Sequence, residues 1–328
     1  MRRTLRALAL IIGAGLLLTS CAPKSAKLIG IAKFVSHPAL DAIEKGIQDE
    51  LADSKPDYKI DLQNANADMN TAAQIAQHFK QEKVALAVGI ATPTAQALAN
   101  QIKDRPVIYA AVTDPVAAGL VAGMDKGGAN ITGTSDMTPV REQLDLLRSL
   151  KPSVKRVGNI YASGEANSVS IASIVKSYCE ENGLEYVETT ITNSSEARQA
   201  LLSIADRIDG LYLGNDNTVF SALSGIADVA LEKKIPVVTA DPSSAETIPV
   251  LAALGYDYYR MGVATGKIIV RVLNGEKTEN IPAFLPKESQ DMTFVLNLDT
   301  AKQLGLTVDQ SVQDKAKVII SDGQLTRK

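Results

Sequence analysis

The chain has 328 residues, 45% of them hydrophobic and 22% charged. That length leaves room for two ordinary domains, and that balance excludes a disordered or fibrous chain. A formal net charge of −3 gives no basis for a nucleic-acid partner.

Residues 1–20 read as a secretory signal rather than as part of a fold. Arg2, Arg3 and Arg6 precede an apolar run from Ala7 to Leu18, too short to span a bilayer comfortably. The ending Leu18-Thr19-Ser20-Cys21 resembles a bacterial lipobox, which implies cleavage before Cys21 and acylation of that residue. An ordinary signal with an incidental Cys21 is the alternative. Residues 21–26 would then tether an exported protein to a membrane. The only other cysteine, Cys179, lies in a helical pattern and is expected to pack in a core.

From residue 27 onward, strand and helix patterns alternate. Strands are expected at 27–34, 58–65, 84–90 and 106–112, with helices at 38–53, 70–83 and 93–104. "SDMTP" (Ser135 to Pro139) separates this series from a helix at 140–150. A second series follows, with strands at 155–161, 184–191, 210–215 and 235–240 and helices at 167–183, 194–208 and 219–234. A long helix is expected over 255–276 and a late strand over 291–298. Such alternation argues for βαβ units and parallel sheets.

The two series match. Phe34 corresponds to Tyr161, Thr94 to Thr218 and Asp114 to Asp241 at one nearly constant offset, far too long for a solenoid repeat. The expected fold is therefore α/β, with two Rossmann-like lobes. Lobe one would comprise residues 27–137 and 254–280, lobe two residues 138–253 and 281–328, and several crossings would form a hinge. In such sheets ligands sit beyond the carboxyl ends of the strands, where helix N-termini offer free N–H groups. "ATPT" (Ala91 to Thr94) and "NDNT" (Asn215 to Thr218) are strand-to-helix corners of that type, able to line one cleft from both sides.

The lipobox, "HPALDAIEKG", "GIATPTAQAL", "TDPVAAGLV", "NITGTSD", "GEANS", "NDNTV", "DYYRMG" and "LNLDTAKQLGL" together resemble one family. It is the substrate-binding lipoproteins of ABC importers, tryptophan/tyrosine-type group. The resemblance runs from Cys21 almost to the C-terminus. It implies a type I periplasmic-binding-protein fold, a Venus flytrap that closes on a small solute and delivers it to a permease and its ATPase. Aromatic or other apolar amino acids are the cargo it implies; a sugar, a nucleoside or a sensor role is the rival. A monomer is expected, held at the membrane by its lipid.

An amino acid needs an anion for its ammonium and N–H or hydroxyl donors for its carboxylate. Asp216 is the first choice for the ammonium, N-capping being its alternative. Asp114 and Asp241 precede prolines and either reach ligand or form turns. Thr92 and Thr94 could hold a carboxylate or cap a helix. Ser135, with Asp136 beside it, falls at the first crossing. Glu165, Asn167 and Ser168 occupy the corresponding loop of lobe two. Phe34 and Tyr161 end the first strand of each lobe, positioned to pack against an aromatic ligand or to fill the core. Phe220 and Tyr256 are weaker candidates of that type. His37 either reaches the cleft or caps a turn. Two histidines without a cysteine or carboxylate cluster do not make a zinc site. No nucleophile elbow, Walker loop or dinucleotide fingerprint appears, so neither catalysis nor a cofactor is expected.

Overall fold

The structure, a computed structural model of the chain, describes residues 27–286 and 292–328. The signal segment and Cys21 lie outside the described residues. The first lobe runs β1 (Lys27–Lys33), α1 (Pro38–Ser54), β2 (Tyr58–Asn64), α2 (Met69–Gln81), β3 (Leu86–Ile90), α3 (Thr92–Gln101), β4 (Val107–Ala110) and β5 (Ile131–Gly133). The second runs α4 (Val140–Leu150), β6 (Arg156–Ala162), α5 (Ala166–Glu181), β7 (Glu185–Ile191), α6 (Ala197–Ile204), β8 (Gly210–Leu213), α7 (Asn217–Ser221), α8 (Leu223–Glu232), β9 (Val237–Thr239), α9 (Pro242–Ala245) and β10 (Ala252–Tyr256). Then come α10 (Tyr258–Leu273), β11 (Met292–Asn297), α11 (Leu298–Leu304), α12 (Gln310–Gln313), β12 (Val318–Ser321) and β13 (Gln324–Arg327).

The first sheet has the order β2-β1-β3-β4-β5 and is wholly parallel. The second has the order β13-β12-β11-β10-β9-β8-β6-β7. Within it β7-β6-β8-β9-β10 repeats the first sheet strand for strand, also in parallel. The expected duplication is thus present in the topology. The second sheet is mixed rather than purely parallel, because β11 runs antiparallel to β10 and β13 to β12.

The central strands carry no polar face. "LAVGI" in β3 and "VIYA" in β4 are buried throughout, as strands covered by helices on both sides must be. α4 presents Val140, Leu144, Leu147 and Leu150 to the core at helical spacing. α1 and α10 cross closely on the first lobe. A Cβ on Gly46 would lie 2.3 Å from the Tyr259 carbonyl oxygen, and one on Gly262 would lie 2.3 Å from that of Ile43.

Several expected boundaries move. The helix expected from Gly255 starts at Tyr258, because Ala252–Tyr256 pairs with β9 and β11 and Asp257 caps the helix by accepting from the Arg260 N–H at 3.0 Å. Residues 254–256 therefore belong to the second sheet, not to lobe one. Ile281 to Phe284 stay with the first lobe. Thr132 Oγ1 donates to the Ile281 carbonyl at 2.8 Å, and the Phe284 N–H donates to Gly133 at 2.9 Å. The helix expected over 219–234 is two, broken at Ala222. The chain thus crosses between lobes after Thr134, after Tyr256 and again between Phe284 and Met292.

Candidate functional site

The carboxyl ends of both sheets face one another, and the corners there line one small common cavity. The first lobe lines it with His37, Ala39 and Leu40 from the β1–α1 corner and with Ala111 and Thr113 after β4. The second contributes Asn167 from α5 and Asn215, Asp216, Asn217 and Phe220 from the β8–α7 corner. Asp136 and Tyr258 close it on the hinge side.

The second-lobe wall is built around a short helix with two carboxylates at its N-terminus. Asp216 Oδ1 accepts from the Val219 N–H at 2.8 Å, capping α7, while Oδ2 accepts from the Ala162 N–H at 2.6 Å. Glu165 Oε1 accepts from the Thr218 N–H and hydroxyl at 3.0 and 2.7 Å. Its Oε2 accepts from the Asn217 side chain, and from Asn167 Nδ2 at 3.2 Å. Both acids are buried. Burial, then the neighbouring Glu165 charge, pushes the Asp216 carboxyl up to about 7.

Asp136 ties the lobes together. It accepts from Thr113 Oγ1 at 2.9 Å, from Asn215 Nδ2 at 2.8 Å and from the Tyr258 hydroxyl at 3.3 Å. Burial raises its pKa against these bonds. Asn215 also donates to the Asp136 carbonyl at 2.8 Å. Across the gap, the His37 ring meets Phe220 edge-on, with centroids 5.8 Å apart. Both His37 ring nitrogens are buried without a hydrogen-bond partner, as is Asn167 Oδ1. Burial lowers the His37 pKa, opposed by the nearby Asp241 charge, and so favours the neutral ring.

Of the residues expected to bind ligand, His37, Asn167 and Asp216 line the cavity, joined by Phe220 and Asp136. Glu165 and Ser168 stand directly behind this wall, linked through Asn167. Asp241 instead caps α9, accepting from the Ser243 and Ser244 N–H groups at 2.9 and 3.2 Å. Asp114 closes a turn onto the Ala117 N–H at 2.9 Å. Ser135 Oγ donates to the Thr113 carbonyl at 2.9 Å, and Thr94 Oγ1 turns back to Ile90 at 2.6 Å. Thr92 is buried behind the wall, its hydroxyl unpartnered. Phe34 packs in the first-lobe core. Tyr161 points along the sheet to Glu188 at 3.1 Å, and Tyr256 reaches the Met137 carbonyl at 3.0 Å in the hinge. Side chains alternate along a strand, and neither Phe34 nor Tyr161 ends its strand: β1 stops at Lys33 and β6 runs on to Ala162.

Sequence reasoning passed over Thr113, Asn215, Asn217 and Tyr258. The two asparagines lie on the "NDNT" corner, and that corner was the available signal. Among the described residues no group of three or more His, Cys, Asp or Glu is placed to hold a metal ion, and no helix is long and apolar enough to cross a membrane.

The sequence model of the ABC transporter substrate binding protein family matches residues 28–320. A tyrosine-binding protein of Clostridioides difficile is 38% identical over 303 residues, 91% of this chain and 86% of that protein. A Streptococcus pneumonia protein solved in complex with L-Trp is 36% identical, with a TM-score of 0.85 over 90% of this chain and 100% of that one. A ligand-free, open substrate-binding protein from Clostridium difficile is 39% identical but has a TM-score of 0.64, over 87% of this chain and 96% of that one. At similar identity the lobes match the L-Trp complex better than the open protein. Together with the direct Asp136–Asn215 and His37–Phe220 contacts, this marks a closed arrangement.

Proposed function

Because the chain belongs to the ABC transporter substrate-binding protein family, a non-enzymatic kind, we propose that it captures an aromatic or apolar amino acid between its lobes and hands it to an ABC permease. No chemistry is done on the ligand. The observation that carries this reading is the polarity of the cavity. Asp216, Glu165 and Asp136 are buried around it, and the wall supplies no Lys or Arg to balance them. A buried carboxylate without a counter-charge is costly even when hydrogen-bonded, so a ligand ammonium is the complement this wall lacks. Leu40, Phe220, Tyr258 and Ala111 give the rest of the wall apolar surface suited to an uncharged side chain. The tyrosine-binding relative and the L-Trp complex support the same cargo class.

Membership of this family, whose members work outside the cytoplasm, supports the delivery step. The basic, then apolar, leader ending at Cys21 supports an exported lipoprotein anchored by acyl chains. The test of cargo is a thermal-shift panel of amino acids, sugars and nucleosides. A ligand at a hundred times its dissociation constant stabilises by about 2.7 kcal/mol. Tryptophan, tyrosine or phenylalanine should raise the melting temperature. Silence from all three beside a clear response to a sugar or nucleoside would reject the cargo assignment. Incubating the protein with its best ligand and finding a new product would reject the non-catalytic reading.

A further inference from the structure

The acidic wall accounts for one end of an amino acid, and the opposite wall has a construction of its own. α1 is 17 residues long and starts at the cavity, with His37 as its N-cap residue and Pro38 in its first turn. No side chain caps it. The first backbone bond into this turn is from the Asp41 N–H to the His37 carbonyl at 3.0 Å, so the N–H groups of Ala39 and Leu40 have no acceptor within the helix. Both residues are buried and line the cavity. The other helix that starts on this wall, α3, also lacks a side-chain cap, but none of its residues lines the space.

The second observation is His37 itself. Its side chain lines the same cavity and is 6% exposed, and although the Asn217 side chain lies beside the ring, neither ring nitrogen has a partner in hydrogen-bonding geometry. A neutral imidazole offers one N–H donor and one acceptor, and burying both unpaired costs free energy. Phe220 holds the ring edge-on from the opposite lobe, which fixes its plane. The charged groups nearest the ring are Asp41 on its own helix, Asp241 at the start of α9 and Glu165 at the start of α5. Asp41 is engaged by Lys33 Nζ at 2.5 Å and by the Ser36 hydroxyl at 2.8 Å, and Asp241 by the α9 N-terminus. Neither is hydrogen-bonded to the imidazole.

We propose that His37 and the free N–H groups of Ala39 and Leu40 form the carboxylate subsite, with the imidazole N–H donating to one carboxylate oxygen and the helix N-terminus to the other. This rests on the amino-acid reading above and adds an orientation to it. The ligand's carboxylate lies on lobe one and its ammonium on lobe two, so a zwitterion bridges the lobes. Interactions made only when both walls are close stabilise the closed state, and by linkage a ligand lacking either charge shifts the lobes less. The partial positive charge of the α1 N-terminus favours the anion in that position.

The experiment crosses ligand with variant. L-tyrosine and tyramine, which lacks the carboxylate, are titrated calorimetrically into the native protein and into His37→Ala and His37→Gln. Native protein should bind tyrosine at least about tenfold more tightly than tyramine, the order expected for losing a charged hydrogen bond. His37→Ala should lose at least about tenfold for tyrosine while changing tyramine by less than about threefold, and His37→Gln, which keeps an N–H, should recover part of the loss. Equal losses for both ligands would assign His37 a structural role and overturn the proposal, as would unchanged tyrosine binding in His37→Ala. If native protein binds neither ligand and no other amino acid, the cargo reading itself falls and the orientation with it. The circular dichroism melt of each variant separates loss of folding from loss of the subsite. Should His37→Ala fail to fold, the glutamine variant carries the test: a partial loss of the preference for tyrosine, with tyramine unaffected, supports the donor role, and equal losses for both ligands or an unchanged preference overturn it.

Discussion

Asp216 illustrates how one side chain holds two roles that sequence alone leaves as alternatives. It caps α7 and lines the cavity at once, because a carboxylate has more acceptor sites than one helix N-terminus uses. Its pKa is raised from an ordinary 3.8 to about 7, so in the fold it holds a proton that the unfolded chain releases. The sign follows. Between about pH 7 and pH 4 the folded state binds the extra proton, and this group's contribution to stability rises as pH falls through that window. Urea unfolding of the ligand-free protein should show that component, and Asp216→Asn, which cannot titrate, should lack it; identical pH slopes would contradict the assignment. Ligand affinity should move oppositely, weakening in acid as the ammonium loses its counter-charge. Corner residues were legible because a polar cluster between a strand and a helix has few other reasons to exist. What was not legible is which acids are consumed by capping: Asp114, Asp216 and Asp241 have the same local chemistry, and only their position relative to the cavity between the lobes distinguishes them.

Among the elements, the α1–α10 crossing sets how closely the returning helix seats on the first lobe. Gly46 and Gly262 let the backbones approach to a distance that no Cβ would tolerate. Gly262→Val is expected to cost about 1–3 kcal/mol through overpacking, read as a lower urea midpoint at unchanged slope. Gly225, in α8, is the contrasting case. A Cβ there meets nothing within 4 Å, so Gly225→Ala should stabilise by up to about 1 kcal/mol through helix propensity alone. Equal effects at both sites would show that propensity, not packing, dominates at the crossing. The α10 periodicity was readable from sequence, but its start was not. Ala252–Tyr256 continues into it without a break in apolar pattern, and the evidence that it is a strand lies in β9 and β11, one of them remote in sequence. β5, β12 and β13 were missed because they are short; β5 pairs with β4 and β12 with β11, each remote in sequence, while β13 is the return arm of a tight hairpin from β12.

At the scale of the whole molecule, the repeat in the sequence corresponds to a repeat in strand order, β2-β1-β3-β4-β5 against β7-β6-β8-β9-β10. Duplication was legible because matching landmarks kept their order. The three added strands at one edge of the second sheet have no counterpart in the first lobe, so no internal comparison could reveal them. The closed arrangement was likewise beyond sequence, since it depends on contacts such as Asn215 to Asp136 that span 79 residues. The chain itself contains no tryptophan, so an added L-tryptophan would be the only indole in the sample. Titrating protein into L-tryptophan and following indole emission reports directly whether the ligand enters a dry cleft. Emission that shifts to the blue and saturates at one ligand per chain is the expected result. Emission that stays at its position in water at every protein concentration, while a sugar or nucleoside stabilises the fold, would contradict capture of an aromatic amino acid between the lobes.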